Sequence, residues 1–208
     1  MKRLLLISFG LIMFLILPDL KAGGDPRVNT APAAFFGSEE ITIYLRVVGT
    51  DLEDAEGPIF MVSGANGSTM DQSLEATKLD DNIWTVTLTP DDYYGTTVET
   101  IAGKVTDGGG KETNSFSLSA FDPSELDGVM MKWYPATAIY SENVSIIFNS
   151  NLSDRDDLTD VDPIYMWAWN NPESLGDAAN QGSWGSIDPS AACEKIGDNL
   201  WRLSLIHI

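Results

Sequence analysis

The chain carries the same three blocks twice, in the same order. Pro32-Ala-Ala-Phe-Phe-Gly-Ser-Glu-Glu-Ile-Thr-Ile returns without a gap as Pro135-Ala-Thr-Ala-Ile-Tyr-Ser-Glu-Asn-Val-Ser-Ile. Pro58-Ile-Phe-Met-Val returns as Pro163-Ile-Tyr-Met-Trp, and Asp81-Asn-Ile-Trp-Thr-Val as Asp198-Asn-Leu-Trp-Arg-Leu. Ordered blocks of this kind predict two copies of one module, and each copy can then be read against the other. What the copies share points to fold, and what only one has points to function.

The shared segments read as strands. Ile41, Ile43 and Leu45 alternate with Thr42 and Tyr44, the period of a half-buried strand. Further short runs rich in β-branched and aromatic residues follow at Ile59-Phe-Met-Val, Asn82-Ile-Trp-Thr-Val-Thr-Leu, Glu99-Thr-Ile-Ala-Gly-Lys-Val and Ser115-Phe-Ser-Leu-Ser. Gly, Pro, Asn or Asp bounds each of them, and Asp107-Gly-Gly-Gly-Lys111 supplies a hairpin turn. Ser73 to Lys78 could form one helical turn, but no stretch has sustained helical periodicity. The expected fold is all-β, two tandem immunoglobulin-like β-sandwiches.

The ends of the chain set the expected boundaries. Met1-Lys-Arg followed by the apolar run Leu4 to Leu17 reads as a signal peptide over residues 1–22, because the run is shorter than the ~20 residues that span a bilayer. A polar leader over 23–31, a first sandwich over 32–121, a linker and lead-in over 122–134 and a second sandwich over 135–208 complete the organisation. The second sandwich is expected to be truncated at its C-terminus, since the counterpart of Leu118 would fall beyond residue 208. Leu203-Ser-Leu-Ile-His-Ile also matches the translation of a transposase adapter. On that reading natural sequence stops at Arg202 and His207 is foreign; the alternative is a genuine strand.

With 31 acidic against 12 basic residues and a net charge of −19, the chain repels nucleic acid and anionic membranes. No stable membrane insertion is expected after signal cleavage, and the expected location is secreted or cell-surface. One cysteine, Cys193, makes no intramolecular disulfide and reads as a small buried residue. Trp84 and Trp201, at the same place in both copies, read as core.

The copies differ most between the second and third blocks, where copy 2 is twelve residues longer. Along its strand Ile164, Met166 and Ala168 should face one way, and Tyr165, Trp167 and Trp169 the other. Copy 1 has Phe60, Val62 and Gly64 at the second set of positions. Two indoles on one strand face, with Trp184 on a polar loop, offer apolar faces for a pyranose ring. Asn170, Asn171, Asn180, Gln181 and Asp177 would supply hydrogen bonds to its hydroxyls. The alternative is that these tryptophans fill a core.

On Val144-Ser-Ile-Ile-Phe, Ile164-Tyr-Met-Trp-Ala-Trp169, Gly182-Ser-Trp184-Gly and Gly197-Asp-Asn-Leu-Trp201, copy 2 resembles the starch-binding modules of bacterial amylases. It is also similar to the β-sandwich modules of Bacteroidetes outer-membrane starch-binding lipoproteins. Those families stack an aromatic-x-Trp pair on an α-glucan, and Trp167-Ala-Trp169 fits that slot. The resemblance implies a polysaccharide partner, bound without a cofactor. Copy 1 lacks the pair, and no lipobox cysteine follows the apolar run.

Asp154, Asp156 and Asp160 are weak candidates for calcium, since their run lacks the glycine and terminal glutamate of an EF-hand loop. A solvated acidic loop is the plainer reading. No Ser-His-Asp or Cys-His set is available if His207 is foreign, and no carboxylate pair is singled out by spacing, so no enzyme is expected. The rival from another class is a structural or adhesive module without a sugar site.

Overall fold

The computed structural model describes residues 23–135, 143–153, 164–165 and 192–205. Residues 1–22, expected to be a signal peptide, lie outside them, and among the described residues no helix is long and apolar enough to cross a membrane. The fold is all-β, as the alternation predicts. In copy 1 the strands are β1 (Arg27–Ala31), β2 (Ile41–Arg46), β3 (Ile59–Ala65), β4 (Gln72–Asp80), β5 (Ile83–Leu88), β6 (Thr100–Thr106) and β7 (Phe116–Ser119), with a short helix α1 (Pro90–Tyr94) between β5 and β6.

These strands make two sheets joined through one strand. Gln72 to Ala76 of β4 pair with β3, while Thr77 to Asp80 pair with β5 across a bulge. The strand therefore leaves one sheet for the other, a recognised way to turn a corner in a sandwich. One sheet runs β1-β2-β5-β4 and the other β4-β3-β6-β7, all antiparallel. Lettered A to G in chain order, that is the A-B-E-D and C-F-G arrangement of immunoglobulin-type sandwiches, with β4 shared.

Alternation sets the core. Ile41, Ile43 and Leu45 of β2 meet Ile59 and Met61 of β3 and Ile101 and Val105 of β6, all but sealed from water. Each such side chain contributes roughly 1.5–3 kcal/mol of burial. Trp84 joins this core, as expected, although among the described residues its indole N–H has no hydrogen-bond partner.

Two expectations give way. The leader is not a free tail: Arg27 to Ala31 pair with Arg46 to Thr42 as the edge strand of the first sheet. Ser73 to Lys78 is not a helical turn but the middle of β4. The Gly-rich turn is as expected: Asp107 Oδ1 accepts from the N–H groups of Gly109 and Lys111 at 2.7 and 3.0 Å while Gly108 and Gly110 take positive φ. Those two N–H groups, Gly109 first, hold the Asp107 carboxyl below the usual range.

Copy 2 contributes β8 (Met131–Tyr134), β9 (Val144–Asn149), β10 (Glu194–Gly197) and β11 (Leu200–Leu205), ordered β10-β11-β9-β8. This reproduces β4-β5-β2-β1 residue for residue. Tyr134 pairs with Ser145 as Ala31 pairs with Thr42, and Trp201 with Lys195 as Trp84 with Lys78. Both tight turns place an Asn at positive φ, Asn82 and Asn199. Their carbonyls accept from Val47 and Ser150 N–H at 3.0 and 2.9 Å. Cys193 and Trp201 are buried, as expected. Leu203 to Leu205 continue β11 in the register of Val86 to Leu88, with Leu203 buried.

Candidate functional site

Of the expected aromatic strand, Ile164 and Tyr165 fall among the described residues. Ile164 packs against Cys193, Trp201 and Leu203, and its carbonyl accepts from Cys193 N–H at 2.7 Å. Tyr165 bridges to Ala192 and is 38% exposed. In copy 1 the same pairing joins Phe60 to Glu75, with Ile59 and Ala76 buried beside it. The expected parity is thus present at its start, Ile inward and Tyr outward. Trp167, Trp169, Trp184, Asn170, Asn180 and Gln181 lie outside the described residues, as do Asn171, Asp177 and the acidic run Asp154, Asp156 and Asp160.

The corresponding face of copy 1 is fully described and is not a stacking platform. Phe60 and Val62 are partly covered, and Lys104, opposite Val62, pairs with Glu112 at 2.5 Å. Gly64, at the place of Trp169, is closed over by the following turn: a Cβ there would sit 2.5 Å from the Thr69 carbonyl oxygen. The copies therefore differ by more than a substitution, because copy 1 has no room for a side chain at this position. At the preceding residue, Ser63 Oγ meets Tyr94 Oη at 2.6 Å, and burial pushes the Tyr94 phenol up.

The most built arrangement of polar groups lies elsewhere, at the seam between the copies. Arg202 of β11 is 3% exposed and its guanidinium is nearly saturated. Nη1 donates to the Ala34 carbonyl at 2.7 Å and to Glu39 Oε1 at 2.6 Å, and Nη2 to Glu39 Oε2 at 2.6 Å and Glu194 Oε2 at 2.7 Å. Nε adds a bond to Glu194 at 3.2 Å. Burial pulls the Arg202 pKa down, but the bonds and charges of Glu39 and Glu194 outweigh it and leave a net rise. Glu39 Oε1 also accepts from Phe36 N–H at 2.6 Å, so the loop that holds the carboxylate is itself held.

Apolar packing surrounds this clamp. Ile147 is fully buried against Ala34, Phe121 and Leu126, and Phe36, Phe121 and Tyr134 form two edge-to-face steps of 5.5 Å each. Ala33 N–H donates to Ser145 Oγ at 3.0 Å. The expected linker is docked as well: Asp122 caps a 3₁₀ turn, Pro123–Leu126, whose Leu126 is 1% exposed. Glu125 on that turn receives Lys132 Nζ at 2.5 Å and Tyr134 Oη at 3.0 Å. The Lys132 hydrogen bond, foremost, keeps the Glu125 carboxyl below its ordinary range despite partial burial.

Sequence reasoning missed this seam, although its signal stood in the aligned blocks. Arg202 and Glu194 occupy the places of Thr85 and Thr77, and Ile147 that of Tyr44. Chemically the arrangement ties β11 to the loop that carries Ala34 and Glu39. Among the described residues no group of three or more His, Cys, Asp or Glu could hold a metal ion. No protein-family model and no curated protein matches the chain.

Proposed function

We propose that the chain is a secreted, non-catalytic carbohydrate-binding protein of two tandem sandwiches, with copy 2 as the binding module. An α-glucan is the leading ligand class. The supporting observation is the parity at Ile164 and Tyr165, buried and exposed in turn. A strand that kept period two beyond Tyr165 would carry Trp167 and Trp169 on the side of Tyr165. Stacked indoles would take the apolar faces of the sugar, with Asn170, Asn180, Gln181 and Trp184 on the neighbouring loop. Copy 1, sealed at Gly64, is the spacer.

Affinity electrophoresis in gels containing starch or other polysaccharides tests this reading. Retardation on starch that is lost in Trp167→Ala and Trp169→Ala is the expected result. Free migration on every polysaccharide defeats it.

The seam favours a second reading, a structural or adhesive surface module with no sugar site. A face locked by a buried Arg202 and by Ile147 is what a rigid spacer needs. In that case all six tryptophans except Trp133 would emit as buried indoles and resist acrylamide.

A further inference from the structure

Gly23 and Gly24 stand directly after Ala22, where the expected signal peptide ends, and both are buried. Both take positive φ, 102° and 52°, which glycine adopts without strain. Neither has room for a side chain. A Cβ on Gly23 would sit 2.6 Å from Asn114 Oδ1, and one on Gly24 2.5 Å from the Gly49 carbonyl oxygen. The Gly24 carbonyl accepts from Asn114 N–H at 2.8 Å, and Asn114 Nδ2 donates to Asp25 Oδ1 at 2.8 Å. Gly23 N–H donates to Asp51 Oδ2 at 3.1 Å. Asp51 is half-buried, and among the described residues its carboxylate meets no Lys or Arg side chain. The loop that carries it is itself fixed. Thr50 Oγ1 donates to the Val47 carbonyl at 2.7 Å and accepts from Leu52 N–H at 3.1 Å. Gly49 N–H donates to Glu53 Oε2 at 3.0 Å.

We propose that Asp51 is the receptor for the amino terminus of a chain cut between Ala22 and Gly23. The inference rests on the secreted reading above and specifies the processed end of that protein. A signal-cleaving endopeptidase hydrolyses the Ala22–Gly23 peptide bond. The C–N bond breaks, and one water supplies the oxygen of the new Ala22 carboxylate and the two protons that make Gly23 an ammonium. The bond to Asp51 then changes kind. Before the cut a neutral amide N–H meets the carboxylate; after it a cation with three donors stands in the same place, and 3.1 Å is an ion-pair distance. The carboxylate thus gains its cation at cleavage. The two glycines let the terminus lie between the 49–51 loop and Asn114, and a side chain at either position would push the nitrogen off Asp51. The pair ties down the approach to β1, an edge strand that pairs with β2 alone.

The test has two arms. In the first, the full chain is expressed with residues 1–22 in an exporting bacterium, and the mass of the exported protein should place its first residue at Gly23. Export with any other first residue overturns the proposal and leaves the secreted reading standing. Uncut chain held in the cytoplasm overturns both. The second arm uses chains released from a scarless fusion so that they begin at Gly23 or, one residue longer, at Ala22. Beside Asp51 the Gly23 ammonium should hold its proton above the ordinary range of about 7.7–8.0. Asp25 and Glu53, the neighbouring carboxylates, are the same in every chain. Acetic anhydride at pH 7, read by peptide mass mapping, should therefore acetylate the Gly23 amine at least about threefold more slowly than in Asp51→Asn, the effect of about half a pKa unit. The chain beginning at Ala22 should react at the faster rate although it keeps Asp51. The urea midpoint should be higher for the Gly23 start than for the Ala22 start, and Asp51→Asn should erase that gap. Equal acetylation rates with and without the Asp51 charge overturn the proposal. A gap between the two starts that survives Asp51→Asn also overturns it, because packing alone would then hold the terminus.

Discussion

Thr85 and Arg202 stand at the same point of the same strand pair and do opposite things. Thr85 lies on an outer sheet face with Thr42, Thr87 and Tyr44, and the Thr42 and Thr87 hydroxyls meet there at 3.1 Å in contact with solvent. Arg202 lies on the equivalent face of copy 2, where Ser145 and Ser204 keep the same cross-strand contact at 3.3 Å but the rest has been rebuilt for contact with copy 1. On the inner faces Ile43 and Trp84 recur as Ile146 and Trp201, while Val28 and Thr30 give way to Met131 and Trp133. On the outer face three differences, Thr85 against Arg202, Thr77 against Glu194 and Tyr44 against Ile147, separate a solvent-facing surface from a buried joint.

The sharpest way to break this comparison is to remove the arginine. Arg202→Ala strips Glu39 of its cation, leaving it the Phe36 N–H bond, and the Ala34 carbonyl of the Arg202 donor, and breaking a buried pair of this kind costs about 3–5 kcal/mol. The reciprocal Thr85→Arg adds a long side chain to an open face and should change stability by less than about 0.5 kcal/mol. Urea unfolding measures both. A double-mutant cycle of Arg202→Ala with Glu39→Ala should give a coupling of about 1–3 kcal/mol, because the two groups share bidentate bonds. Equal losses for Arg202→Ala and Thr85→Ala would mean that the seam is no tighter than the open face.

The second prediction sharpens the contrast between the strands β3 and its aromatic counterpart. Gly64→Ala drives a Cβ to 2.5 Å from the Thr69 carbonyl oxygen, a backbone atom that cannot swing away. A loss of about 1–3 kcal/mol is expected in urea unfolding, the usual cost of overpacking. Gly49→Ala is not a fair control, because Gly49 sits at positive φ; Gly57→Ala, with open space around it, is, and should cost little. A silent Gly64→Ala would mean that copy 1 can accept a side chain there and that its lack of a tryptophan has no steric cause.

How much of this was legible depended on where the burial comes from. The alternation of Ile41, Ile43 and Leu45 names its own buried face, and the Ile164/Tyr165 parity likewise follows from period two. β1 was hidden because an edge strand turns only Val28 and Thr30 inward, too few to set a pattern. β4 was hidden because Glu75, Ala76 and Lys78 favour helices, and because the strand changes sheets after Ala76 and so never keeps one apolar face for long. α1 left a signal that periodicity overlooks, Pro90 at its first position and Gly95 at φ 67° just past its end. The seam could not be seen in either copy alone. It depends on how the copies meet, and its trace was a set of charged and apolar residues, Arg202, Glu194 and Ile147, at the places of Thr85, Thr77 and Tyr44.

The smallest effect expected at the seam is an acid one, at Glu125. Its folded pKa lies below the ordinary carboxylate value, chiefly through the Lys132 hydrogen bond and further through Tyr134, against burial and the Asp122 charge. A depressed carboxylate pKa means that the unfolded chain binds more protons between the two values, so stability rises with pH through that window. The contribution is present in full above the unfolded value, about 4.3, and is lost as pH falls through the folded one. Both partners keep more than a third of their side chains in water, so the pair is worth no more than about 1 kcal/mol. Urea midpoints of the parent chain and Glu125→Gln should differ slightly at pH 6 and converge near pH 3. A difference that persisted or grew in acid would show that Glu125 acts through something other than its charge, and that the docked linker is held by Leu126 and the aromatic steps alone.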